Sequence, residues 1–186
     1  MARYKLVDRA HVLDAAEQVI RSKGLGGLSI DAIAKAAGIS KGGVQSSFGT
    51  KEQLIHAMLE RLVAEFDAQV AQLAGDSPTP RQRLKAYVEA TCRLKKSDAD
   101  RAAGMLAALL NAPDQLREWQ AWYENKLTEF DVATPEGRQA RMVFLACEGA
   151  FMLRSFGFMK MPQREWQQIF LDLHEQLDSS NQPNER

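Results

Sequence analysis

Three observations predict an all-α fold. Ala and Leu supply 46 of the 186 residues, whereas Val, Ile and Thr together supply 20. Helices favour the first pair and strands the second group. No segment alternates apolar and polar residues as a half-buried strand does, and apolar residues instead recur at three-to-four spacing along most of the chain.

The first helix is expected over residues 8–23, where Val12, Ala15, Ala16, Val19 and Ile20 form one stripe. Gly24 ends it as a left-handed cap, and Gly26-Gly27 continue the turn. Ser29 caps a second helix over 30–37, with Asp31 in the first turn where the helix dipole favours an anion. Gly38 breaks that helix, and Ser40 caps a third over 41–47. Thr50 and Gln53 form a capping box for a long helix reaching residue 74. Its stripe Leu54, Met58, Leu62, Phe66 and Val70 is broadened by Ile55, Leu59 and Val63, enough to cover two bodies. The run 75–80, Gly-Asp-Ser-Pro-Thr-Pro, reads as a linker. Five more helices are expected over 81–96, 100–110, 113–132, 135–158 and 163–177, with Pro113, Pro135 and Pro162 in first-turn positions.

Composition narrows the function classes. The 24 basic and 24 acidic residues cancel, which argues against a polybasic protein that coats nucleic acid by bulk attraction. Cys92 and Cys147 are too few for a disulfide framework and lack metal spacing, so both read as small core residues. His11, His56 and His174 are scattered, and no metal or other cofactor is expected. The polar start carries no secretory signal, and the apolar run 142–153 is too short to span a bilayer, so a cytoplasmic address with no membrane partner is expected. No nucleophile elbow, carboxylate pair or phosphate loop argues for an enzyme.

The informative stretch is 29–51. Two short helices joined through Ala37-Gly38-Ile39-Ser40, with a first helix behind them, have the arithmetic of a helix-turn-helix whose second helix enters the major groove. Lys41 and Lys51 each fall in a first helical turn, where the dipole disfavours a cation by roughly 0.3–1 kcal/mol unless phosphate lies nearby. Gly42 and Gly43 sit inside a short helix at a cost of about 1 kcal/mol each relative to alanine, leaving bare backbone for a partner to approach. Gln45, Ser46 and Ser47 add hydrogen-bonding groups on the same helix.

The run from Ser29 through Leu54, SIDAIAKAAGISKGGVQSSFGTKEQL, resembles the DNA-binding domain of the TetR/AcrR family of bacterial repressors, and His11 to Gly27 is similar to that family's first helix and glycine turn. The resemblance covers about residues 8–60. It implies a homodimer with an N-terminal three-helix DNA-binding domain and a divergent C-terminal helical domain for ligand sensing and dimerisation. On this division residues 1–52 bind DNA, 53–178 sense ligand and dimerise, and 179–186 form a disordered tail. The resemblance implies that Lys51 meets phosphate, that the caps Ser29 and Ser40 also touch phosphate, and that Lys41, Gly42 and Gly43 face base edges. Arg3 and Lys5 would form an arm along the backbone. Gln45 and Ser47 depart from the family, which usually carries tyrosine and then histidine or tyrosine at those places. Gln45 can still pair with adenine or donate to phosphate, and Ser47 can reach phosphate through water.

In the C-terminal part, the candidate effector walls are Phe66, Tyr87, Met105, Trp119, Trp122, Tyr123, Phe151 and Met152. Glu148 stands in an apolar run, where a carboxylate must pair with an arginine of a neighbouring helix, meet a ligand or link two protomers. The helices at 135–158 and 163–177 are expected to form a four-helix dimer interface. The partners expected are therefore operator DNA, a small-molecule effector and a second copy. Two other readings stand beside this one: a protein-interaction module with a degenerate helix-turn-helix, and a small helical enzyme.

Overall fold

The computed structural model describes residues 8–110 and 112–179. The expected roles of Arg3 and Lys5, and the tail beyond residue 179, lie outside the described residues. Helices α1 (Arg9–Lys23), α2 (Ile30–Ala37), α3 (Lys41–Phe48), α4 (Lys51–Ala74), α5 (Pro80–Arg93), α6 (Lys96–Leu109), α7 (Pro113–Thr128), α8 (Pro135–Ser155) and α9 (Gln163–Asp178) follow in order, with a 3-10 turn at Leu25–Gly27. No strand occurs among the described residues. The chain divides into two compact units, one of Met1–Leu62 and Gly104–Leu116, the other of Val63–Ala103 and Arg117–Arg186. The boundaries fall inside α4, α6 and α7.

The first unit is organised by α1. Its predicted stripe is buried: Val12, Ala15, Ala16, Val19 and Ile20 all lie inside. Leu28, Ile33, Val44, Leu54, Met58 and Leu59 of the same unit are buried as well. Asp8 caps α1 by accepting from the Ala10 and His11 amides. Arg61 on α4 grips α1 through Asp14 at 2.7 Å and Glu17 at 2.5 Å. Gly24 takes φ 69° and ψ 174°, an extended positive-φ conformation rather than the expected left-handed cap, and its amide still closes on the Ile20 carbonyl. Gly38, at φ 64° and ψ 29°, is the residue that does adopt the left-handed cap.

The second unit centres on α5, α8 and α9, which pack against one another. Its core holds Leu84, Val88, Phe144, Cys147, Phe151, Trp166, Phe170 and Leu177. Thr79 and Gln82 form a capping box at α5, and Thr134 caps α8 by accepting from Gly137 at 3.0 Å. Gly137 has no room for a side chain, since a Cβ would stand 1.9 Å from the Asp131 carbonyl oxygen.

Several helix ends differ from the sequence reading for local reasons. α5 stops at Arg93 because Leu94 turns extended, and α6 begins at once, its Asp98 and Ala99 amides closing on the Lys95 carbonyl. α8 stops at Ser155 because Gly157 takes φ 74° and the Met159 amide folds back to the Leu153 carbonyl. Pro162 is the N-cap of α9 rather than a first-turn residue. The long stripe of α4 is also unevenly covered: Leu54, Ile55, Met58 and Leu59 are buried, Phe66 and Val70 are half-buried, and Leu73 is exposed.

Candidate nucleic-acid interface

The turn between α2 and α3 is built by capping. Ser29 accepts from the Ala32 amide at 3.1 Å, and Ser40 accepts from the Gly43 amide at 3.1 Å. Between them Gly38 reverses the chain, and the Ile39 amide returns to the Ala34 carbonyl at 3.0 Å. Val44 and Phe48 anchor one face of α3 in the core. The opposite face, carrying Lys41, Gly42, Gln45 and Ser46, is exposed. A Cβ added at Gly42 would meet nothing within 4 Å.

Two residues that sequence reasoning passed over hold this arrangement. Arg9 lies over the Phe48 ring at 4.1 Å and donates to the Ser47 carbonyl. His11 Nε2 stands 3.0 Å from the Ala37 carbonyl oxygen. α1 thus reaches the C-terminal ends of both α2 and α3, where carbonyls lack intrahelical partners. Their signal was visible as basic residues at the start of α1, but nothing in the sequence says which carbonyls they meet.

The predicted contact residues fall into distinct states. Lys41 pairs with Asp31 at 3.0 Å, both side chains being well exposed, so its charge is partly answered inside the protein. Lys51, half-buried at the start of α4, pairs with no carboxylate among the described residues. Its helix is capped as expected, with Thr50 accepting from Gln53 and Gln53 accepting from the Thr50 amide at 2.9 Å. Gly49 is required here: its φ is 74° and a Cβ would run into the Gln53 side-chain oxygen at 2.0 Å. Ser46 and Ser47 both donate to the Gly43 carbonyl at 3.0 Å, so their hydroxyl protons are already committed. Gln45 makes no side-chain hydrogen bond within the described residues and stands exposed.

The expected effector walls are divided between the two units. Met105 is fully buried in the first unit. Phe66, Tyr87, Trp119, Trp122, Tyr123, Phe151 and Met152 belong to the second. There Tyr87 meets Phe66 edge-on at 5.1 Å and Phe144 at 5.4 Å, and Trp122 bridges Trp119 and Tyr123. Glu148 has no arginine partner among the described residues, contrary to the first expectation. It accepts from the Tyr87 hydroxyl at 2.5 Å on one oxygen and from the Tyr123 hydroxyl at 2.7 Å on the other. Burial raises the Glu148 pKa, the two phenolic hydrogen bonds oppose that rise, and burial pushes both tyrosines up. A separate cleft of about 250 Å³, lined by Thr79, Arg81, Phe130, Glu136, Gly137 and Leu177 among others, involves none of the predicted wall residues. It arises where the starts of α5 and α8 adjoin the end of α9, a convergence that no local pattern announces.

Comparison with known proteins bears on both units. Residues 12–58 match bacterial regulatory proteins of the tetR family, and residues 81–178, just over half of the chain, match the tetracyclin repressor-like C-terminal domain. The HTH-type transcriptional regulator BetI of Rhizobium meliloti is 30% identical over 101 residues, covering 54% of this chain and 50% of that protein. BetI of Burkholderia thailandensis is 35% identical over 85 residues, covering 45% and 44%. The chain thus spans about half the length of the curated relatives it matches. A transcriptional regulator from Rhodococcus sp. Rha1 superposes with a TM-score of 0.69 at 20% identity over 93% of this chain and 97% of that one. Thermus thermophilus FadR, a TetR family transcriptional repressor solved with lauroyl-CoA, superposes at 0.65 with 18% identity over 96% and 97%. These likenesses show the same fold. With a matching helix-turn-helix domain and a matching C-terminal domain in one chain, this protein belongs to the TetR family of bacterial regulatory proteins.

Proposed function

We propose that the protein is a ligand-responsive transcriptional repressor that binds a near-palindromic operator as a homodimer. The observation that carries the reading is the bare outer face of α3, where Gly42 has open space above it and the Gln45 side chain has no hydrogen-bond partner among the described residues. On this reading Gln45, Lys41, Gly42 and Gly43 meet base edges in the major groove. Lys51 at the start of α4, with Ser29 and Ser40, meets phosphate. Ser46 and Ser47 accept rather than donate, through water, because their protons are spent on Gly43.

Dimerisation is assigned to α8 and α9. Met142 (63% exposed), Leu145 and Leu153 line one side of α8, and Leu171 (56% exposed) stands out on α9. Large apolar side chains exposed in a row mark association surfaces. The paired recognition helices would enter successive major grooves roughly 34–36 Å apart. An effector held by residues 53–178 would shift the dimer between two conformations that differ in affinity for DNA. Structures of this fold hold small molecules such as lauroyl-CoA, which supports that assignment. Nuclease footprinting of the full chain on a genomic library tests the proposal. A protected palindrome at moderate salt is the expected result, and no protected sequence would overturn it.

A further inference from the structure

Glu148 differs from the other partly covered carboxylates of the second unit. Glu89 has Arg93 at 2.6 Å and His174 at 3.4 Å, Glu129 has Arg83 at 3.6 Å, and Asp67 has Lys126 at 3.9 Å. Glu148 has only two neutral phenols, and no cationic side chain pairs with it among the described residues. Phenolic hydrogen bonds satisfy one acceptor direction on each oxygen without balancing the charge, and a carboxylate retains further acceptor directions.

The surroundings favour a cation as the missing partner. Tyr87 and Tyr123 present aromatic rings beside the carboxylate, backed by Phe66, Phe144 and Trp122. Ring faces attract cations most strongly where water is scarce. The Trp122 ring already carries one, the Lys126 ammonium at 5.3 Å from its centroid. An anionic ligand would meet repulsion from Glu148, and a neutral one would leave the charge unanswered.

We propose that Glu148, Tyr87 and Tyr123 form the floor of a binding site for an organic cation, with the ammonium or amidinium group against the carboxylate and its substituents against the neighbouring rings. The claim names the effector class of the ligand-sensing reading above and rests on that reading only for its regulatory consequence.

The test is calorimetric titration of the full chain, without DNA, using benzyltrimethylammonium and the similar-sized anion benzenesulfonate. Wild-type protein is expected to bind the cation and not the anion, a comparison that needs no variant. Glu148→Gln, which keeps the shape and can accept from one phenol while donating to the other, is expected to lose about tenfold or more in cation affinity while keeping a cooperative melting transition. No cation binding by wild type, equal binding by Glu148→Gln, or tighter binding of benzenesulfonate would overturn the site. A gel shift on the footprinted operator then separates the two claims. Release of DNA by the cation supports the site as the effector site. Cation binding with unchanged DNA retention supports the site and removes its regulatory role.

Discussion

Lys51 and Lys41 look equivalent in the sequence, since each places a cation at a helix start where the dipole repels it. The structure separates them. Lys41 is answered by Asp31, whereas Lys51 pairs with no carboxylate among the described residues, so Lys51 has the more to gain from phosphate. Lys51→Ala is expected to weaken binding to operator and scrambled duplex by the same factor. The slope of log affinity against log salt should fall by about 1.8 for a dimer losing two phosphate contacts. A changed operator-to-scrambled ratio in fluorescence anisotropy would contradict a phosphate role. Glu148 makes a second prediction at this scale. Its folded-state pKa is raised above the ordinary 4.5, so the folded protein holds that proton more tightly than the unfolded chain. The stability this contributes is fully present below about 4.5 and lost as pH rises through the folded-state value. The melting midpoint of wild type relative to Glu148→Gln should therefore rise as pH is lowered, since the glutamine does not titrate. A difference independent of pH would mean that burial does not govern this group.

At the scale of elements, α3 is a helix built against its own propensity. Gly42 and Gly43 occupy its first turn, and its stability comes from the Ser40 cap and from Val44 and Phe48 in the core. Because nothing lies near Gly42 in the free protein, Gly42→Ala is expected to raise stability by about 0.5–1 kcal/mol in denaturant unfolding. The same change should reduce operator affinity by placing a methyl group where DNA backbone or base edges approach. Unchanged affinity would mean that α3 does not lie that close. The caps, the helix order and the turn were legible because each depends on residues a few positions apart. The break at Leu94 was not, since 81–100 carries no glycine or proline and its pattern alone does not choose where one helix yields to the next. The serines were half legible: they sit where DNA contacts are expected, but their commitment to the Gly43 carbonyl appears only in three dimensions.

For the whole molecule, the zero net charge conceals a division. Residues 1–52 hold eight basic and five acidic residues, and 53–186 hold 16 and 19, so a charge of +3 is set against −3. A dimer would present +6 from its paired heads, modest for a DNA-binding surface, and specific contacts must supply much of the affinity. Dimerisation is therefore expected to be indispensable. Leu145→Arg, at an exposed position on α8, should leave the fold intact and give a monomer in analytical ultracentrifugation, with operator binding reduced sharply. A stable dimer in that variant would place the interface elsewhere.

The sequence by itself determined the helical class, the order of the helices, the helix-turn-helix and the family, because periodicity, caps and a contiguous motif are local properties. Only the tertiary structure decided which charges are answered. It gave Lys41 to Asp31, left Lys51 without a carboxylate among the described residues, tied Arg9 and His11 to the ends of α2 and α3, and met Glu148 with two tyrosines instead of an arginine. The physical reason is that a charged or hydrogen-bonding side chain is satisfied by whatever the fold brings within about 3 Å. Residues 61 positions apart, as Tyr87 and Glu148 are, meet only once the helices carrying them have packed.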